Sequence, residues 1–369
     1  MKFSFPEIED LPTLNGRPNI LNKLDGSSIE KPSDWRAHRK YLKEMLSFYQ
    51  YGHMPPKPDK LDVKITENTL VLGDKGRKVD FNISFKNNKH QCTLHANMVF
   101  PSEEGSFPII IKNCHCLLYA GTSELPKNSS EQIKRGIEYD ENILPEILSR
   151  KYGLLKFNRL DLSIDELDNK KQGVFPLYPD YDWGAIAAWA WGYQLVIDAL
   201  EDFSFVDMNK IVATGHSRGG KTALCASIYD ERISIAAPNS SGMGGTGSSI
   251  IFEEGREPFQ TLTYHIGKND HWWGPRYLKF GEQENKLPFD SHTLKALIAP
   301  RPMINCHAHQ DYWANPYGTK KTQEESDAIY NWLGAEGKSQ IHWRDGGHAQ
   351  NHEDWIALLD FCDFHFNRN

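Results

Sequence analysis

The segment Val212-Ala213-Thr214-Gly215-His216-Ser217-Arg218-Gly219-Gly220-Lys221 constrains this chain more than any other. An apolar run ends in the pattern G-x-S-x-G, and the helix-forming stretch Thr222-Ala223-Leu224-Cys225-Ala226 follows at once. A strand that becomes a helix within so few residues crowds the backbone on both sides of the turn, so Gly215 and Gly219 stand where a side chain would clash. The serine between them is held strained, with its hydroxyl above the end of the strand. The helix N-terminus then offers unpaired backbone N–H groups to an anion. A glycine-rich strand-to-helix turn without chemistry is the alternative, and it leaves the residues found downstream unexplained.

The rest of the chain supplies a suitable setting. Its 369 residues are 39% hydrophobic and 25% charged, which is globular composition and argues against disorder. With 42 basic and 49 acidic side chains the net charge is −7, so nothing favours a nucleic acid or a membrane surface as partner. No apolar run reaches the roughly 18 to 20 residues that span a bilayer, and the opening Met1-Lys2-Phe3-Ser4-Phe5-Pro6 lacks the pattern of a secretion signal. Six cysteines without a framework spacing read as reduced thiols, so the expected location is cytoplasmic. Cys114 and Cys116 continue an apolar strand, face one side and read as core packing.

Along the chain, Trp35, Tyr41, Leu42, Met45, Leu46 and Tyr49 recur at helical spacing after Ser33 and Asp34 and stop at Gly52. Segments 61–66, 79–86 and 91–100 alternate apolar and polar residues, as antiparallel strands do, with Gly73, Gly76 and Asn87-Asn88 between them. From Pro108 onward strands alternate with helices: strands at 108–113, 153–157, 210–214, 233–237, 302–306 and 340–343, and helices at 184–201, from 218, at 319–336 and at 352–366. The expectation is one α/β domain over 1–369, a three-layer sandwich whose mostly parallel central sheet has an antiparallel N-terminal entry.

Such a fold orders its nucleophile, acid and base along the chain, with the base after the last strand. His348 follows Trp343-Arg344-Asp345-Gly346-Gly347, with His352 as competitor. The acid belongs after the preceding strand, where Asp311 lies in His307-Ala308-His309-Gln310-Asp311-Tyr312-Trp313; Asp345 is the second choice. A carboxylate there would fix the tautomer of His348 and stabilise its imidazolium. The same string reads H-x-H-x-D, a pattern used by metal hydrolases. A serine elbow is superfluous to such an enzyme, so no metal or cofactor is expected.

Around this core the sequence resembles the glucuronoyl esterases of carbohydrate esterase family 15, which are α/β-hydrolases. The resemblance runs through Tyr51-Gly52-His53-Met54-Pro55-Pro56, Trp183-Gly184-Ala185-Ile186-Ala187-Ala188-Trp189-Ala190-Trp191-Gly192 and the serine segment, then through Leu287-Pro288-Phe289-Asp290-Ser291-His292, Ala299-Pro300-Arg301-Pro302, Trp313-Ala314-Asn315-Pro316 and Gly346-Gly347-His348. It implies hydrolysis of esters of 4-O-methyl-glucuronic acid, a side group of xylan. It further implies that Arg218 helps hold the oxyanion, that Lys221 and Trp313 contact the sugar, and that Gln260 stands near a sugar-binding glutamate of the family.

Two departures matter. Many members place the acid as Glu in a Pro-x-Glu-Ser-Gly loop, where this chain has Pro238-Asn239-Ser240-Ser241-Gly242; other relatives place it after the later strand, which leaves Asp311 for the role. Fungal members bridge a cysteine before the nucleophile to one beside the histidine, and here those positions are His216 and Ala349. The expected enzyme is a serine esterase that cleaves glucuronic-acid esters on saccharides through an acyl-enzyme. An acetyl esterase of acetylated oligosaccharides and a catalytically impaired carbohydrate-binding relative are the alternatives.

Overall fold

In a computed structural model, which describes residues 3–87, 90–114, 138 and 142–368, one nine-stranded sheet organises the chain. β1 (Asp62–Val71), β2 (Gly76–Asn87) and β3 (His90–Pro101) form an antiparallel meander. β3 joins antiparallel to β5 (Gly153–Asn158), which runs parallel to β4 (Phe107–Cys114). β6 (Val206–His216), β7 (Ile233–Asn239), β8 (Met303–Ala308) and β9 (Ser339–Arg344) extend the parallel part, giving the order β1-β2-β3-β5-β4-β6-β7-β8-β9. The strand segments read from alternation and apolar runs are thus the strands of the sheet. Its order, with β4 between β5 and β6, required the tertiary structure.

Among the described residues the α-helices of six or more residues are α1 (Trp35–Leu46), α2 (Leu144–Ser149), α3 (Ala185–Leu200), α4 (Arg218–Tyr229), α5 (Ser291–Ala296), α6 (Pro316–Trp332) and α7 (His352–His365). They cover the parallel strands from both sides because successive residues of a strand point to opposite faces. Ile109, Ile111, Leu155, Phe157, Ile211 and Ala213 belong to the core under α1, α3 and α4. Ile110, Leu154, Val212, Ile235 and Ile304 belong to a second core with α2 and α7. Each of the larger of these side chains, fully buried, contributes about 1.5–3 kcal/mol, which outweighs strand propensity in fixing the register. α3 is apolar almost all round and buries Trp189 and Trp191 completely, and a Cβ at Gly192 would stand 2.5 Å from Leu162 and 2.9 Å from Phe157.

Two details differ from the sequence expectation. The sixth helix begins at Pro316 rather than 319, because Asn315 adopts a left-handed conformation (φ 58°) and its side chain caps Gly318 N–H. It ends at Trp332 rather than 336. Cys114 ends β4 and donates from Sγ to the Phe157 carbonyl, whereas Cys116 lies outside the described residues.

Candidate active site

Every parallel strand points its C-terminal end to the same edge of the sheet, and there the segments after β6, β7, β8 and β9 meet. This is the crevice where open α/β sheets hold ligands. Ser217 sits between β6 and α4 with φ 57° and ψ −120°, a conformation that costs energy and persists only because the surroundings enforce it. Its backbone N–H is bonded to the Asn239 carbonyl of β7 (2.9 Å), and its carbonyl accepts from Gly220 and Lys221 N–H. The turn is so tight that a Cβ at Gly215 would lie 2.3 Å from the Gly219 carbonyl oxygen. The N–H groups of Arg218 and Gly219, which precede those bonds, are the ones a helix start leaves without a partner in the helix.

His348 Nδ1 is 2.8 Å from Asp311 Oδ2, so the two residues selected from separate loops are brought together. Asp311 is 1% exposed at its side chain and His348 20%. Burial pushes the Asp311 carboxyl up, but the hydrogen bond and charge of His348, with lesser contributions from His307 and His216, hold it below the usual range. On its other side the His348 ring lies 4.4 Å, centroid to centroid, from His216, the residue before Ser217. His216 is fixed by a 2.6 Å bond from Nδ1 to Asn239 Oδ1, and burial beside His348 drives its pKa well down, so it stays neutral. Among the described residues no hydrogen bond joins Ser217 Oγ to His348; such bonds are often long until substrate closes them.

The competitors lie elsewhere. His352 is an exposed first residue of α7, and Asp345 accepts from Gln310 rather than His348. His307 Nδ1 and Nε2 stand 3.1 and 3.3 Å from the Ala308 and Ala314 carbonyl oxygens, to one of which the neutral ring donates, and His309 stacks on Trp343 at 5.1 Å, so H-x-H-x-D does not converge on one point.

Three expected sugar contacts do converge. Lys221, fully buried one turn into α4, donates to the Ser241 carbonyl and to Gln260 Oε1 (3.0 Å). Gln260 N–H in turn bonds the Trp313 carbonyl at 3.2 Å, and the Trp313 ring packs edge-on against Tyr264 at 4.8 Å. Burial, assisted by the Arg218 charge, lowers Lys221 to about 7. Ser240, which occupies the alternative acid position, is buried with its hydroxyl unpartnered.

Arg218 has partners that sequence reasoning did not foresee. Its Nη1 is paired with Asp165 Oδ2, and its guanidinium lies over the Trp272 ring at 4.8 Å. Asp165 Oδ1 also accepts from His271 Nε2 (3.0 Å) and Trp272 Nε1 (2.7 Å). Nothing in the local pattern around Asp165 marks it, because its donors lie more than 50 residues away in the chain. A second missed group is Arg344, 2% exposed at its side chain and paired with Asp354 at 2.9 Å. It donates to the carbonyls of Asp345, Gly347 and Ala349, and so encloses His348 from both sides of the loop.

Sheet, elbow and C-terminal edge define an α/β-hydrolase, and its similarity to known esterases makes it a carboxylic ester hydrolase. More narrowly, the chain belongs to the glucuronyl esterase family, whose fungal family model matches residues 83–334. It is similar to carbohydrate esterase MZ0003 of an unknown prokaryotic organism, 27% identical over 94% of this chain and 89% of that protein. It is also similar to a 4-O-methyl-glucuronoyl methylesterase of Podospora anserina, 27% identical over 76% of this chain, which spans about half (52%) of that enzyme. Among solved structures, the glucuronoyl esterase from Solibacter usitatus superimposes with TM-score 0.84 at 25% identity, over 96% of this chain and 99% of that one. A promiscuous CE15 esterase from a marine bacterial metagenome does so with TM-score 0.82 at 25% identity, over 97% and 99%.

Proposed function

We propose that this chain hydrolyses esters of glucuronic acid, including its 4-O-methyl form, on xylan-derived saccharides through an acyl-enzyme on Ser217. The observation that carries the reading is the convergence, beside the elbow, of the His348–Asp311 pair with the Lys221–Gln260–Trp313 group. The first supplies chemistry for an acyl carbon and the second supplies hydrogen-bond donors and an aromatic face for a sugar.

In the first half-reaction Ser217 Oγ attacks the ester carbonyl while His348 Nε2 takes its proton. Asp311 holds the Nδ1–H and stabilises the imidazolium without accepting the proton itself. The oxyanion meets the N–H groups at the start of α4, and the Arg218 guanidinium, with only one nitrogen committed to Asp165, donates further hydrogen bonds there. Collapse returns the proton to the departing alcohol. Water, activated by the same histidine, then releases the uronic acid.

The test compares methyl 4-O-methyl-glucuronate with an acetylated sugar, using the unaltered chain and Ser217→Ala in the presence of a chelator. Cleavage of the uronate ester that requires Ser217 and ignores the chelator is expected, with Ser217→Ala folded but inactive. Activity confined to acetates would overturn the substrate, and activity retained in Ser217→Ala would overturn the nucleophile.

A further inference from the structure

We propose that Asp165 makes the site prefer the uncharged ester over the anionic acid it produces, by neutralising Arg218 beside the reacting carboxyl group. The inference rests on the esterase reading above. Hydrolysis converts a neutral ester into a carboxylate at the same atoms, so any cation that steadies the oxyanion also attracts the finished product. Catalysis gains only from interactions stronger in the transition state than in the states on either side of it. An unopposed guanidinium next to Ser217 would bind the product carboxylate most strongly of all, as a bidentate partner.

The architecture around Asp165 answers this. Its carboxylate is 13% exposed and accepts from three side chains: Arg218 on one oxygen, His271 and Trp272 on the other. Two of those donors are independent of Arg218, so the carboxylate keeps its place when the guanidinium adjusts to a ligand. Trp272 serves twice, since its ring face also carries the guanidinium at 4.8 Å. Burial raises the Asp165 pKa, yet the bonds from His271 and Trp272 with the charges of Arg218 and Arg159 hold it well below the ordinary range, so the pair stays ionic. The other cations nearby are already engaged: Arg159 lies over Trp189 and bonds Asn113, and Lys221 gives two of its three ammonium donors to Ser241 and Gln260. Arg218 can therefore donate hydrogen bonds to a developing oxyanion while the Arg218–Asp165 pair adds no net charge to the site.

The experiment measures calorimetric dissociation constants for methyl glucuronate and for free glucuronate in a Ser217→Ala background, where no turnover intervenes. Removing one unit charge at this range changes the affinity of an anion by about tenfold at the effective dielectric of a protein interior. Asp165→Asn should therefore tighten the acid about tenfold relative to the ester, and Asp165→Glu should restore the original ratio. In an Arg218→Gln background, where Asp165 stands unopposed, Asp165→Asn should likewise tighten the acid relative to the ester. A ratio that moves by less than twofold in Asp165→Asn overturns the proposal while leaving the esterase reading intact. If neither ligand binds, the esterase reading falls and this inference falls with it. Should Asp165→Asn fail to fold, as judged by circular dichroism, Arg218→Gln alone decides: with Asp165 unopposed the acid must weaken relative to the ester, and the opposite shift rejects the idea.

Discussion

Asp311 shows how one residue acquires a role from its surroundings. Buried without a partner it would be protonated and useless; bonded to His348 it stays ionised below the usual range of an aspartate. Because its folded pKa is depressed, the stability it confers is present above its unfolded value near 3.9 and is lost as pH falls through the lower folded value. Asp311→Asn should lower kcat by about 10³–10⁴ through the wrong imidazole tautomer, with KM little changed, which steady-state kinetics on a glucuronate ester would read. Lys221 behaves oppositely. Burial lowers it to about 7, so its ammonium form, the stronger donor to a sugar oxygen, exists below that pH and disappears above it. KM for the sugar ester should rise between pH 6 and 8.5, and a pH series on Lys221→Met should show that rise abolished from an already elevated KM. The places of Ser217, His348 and Asp311 after β6, β9 and β8 were legible in the sequence, since each follows a recognisable strand. Asp165 was not, because its role comes from three donors that meet it only in space.

At the scale of an element, the segment from β9 to α7 decides whether His348 is presented correctly. The sequence reads it as a glycine-containing loop ahead of a helix, which it is. What holds it is Arg344, whose guanidinium takes three loop carbonyls and the Asp354 carboxylate, while Asp354 closes a capping box with Asn351 at the start of α7. Strand end, loop and helix start are thus locked through one buried ion pair. Removing one partner leaves the other charged and buried, at a cost of about 3–5 kcal/mol. Arg344→Met should lose that much stability in a denaturant titration and should also reduce kcat, since the carbonyls flanking His348 lose their anchor. Stability unchanged within 1 kcal/mol would show that the loop is held by other contacts. No local pattern announces this clamp, because an arginine at a strand end reads as a solvated side chain.

Across the whole molecule, chemistry and stability are spatially divided. The proposed catalytic residues and sugar contacts cluster at the C-terminal edge of the parallel strands and in the loops beyond it, while the antiparallel entry contributes core. Phe81 of β2 is fully buried and packs on Phe203 at 5.3 Å, remote from that edge in the sheet order. Phe81→Ala should cost about 3–5 kcal/mol of unfolding free energy and leave kcat for a glucuronate ester within about twofold, as thermal unfolding and kinetics measured on one preparation would show. A large fall in kcat in the still-folded variant would mean that the entry strands shape the site.

The amino-acid sequence by itself determined the element types and the elbow, because side-chain periodicity and the steric demand of a strand-to-helix turn are local properties. It also determined which histidine and which aspartate stand after the last strands, since β6 to β9 lie side by side in chain order. The tertiary structure alone decided the placement of β4 between β5 and β6, the bond between Lys221 and Gln260, and the carboxylate opposite Arg218. Those depend on burial and charge pairing between segments far apart in sequence, and Coulomb forces and desolvation act on distance in space.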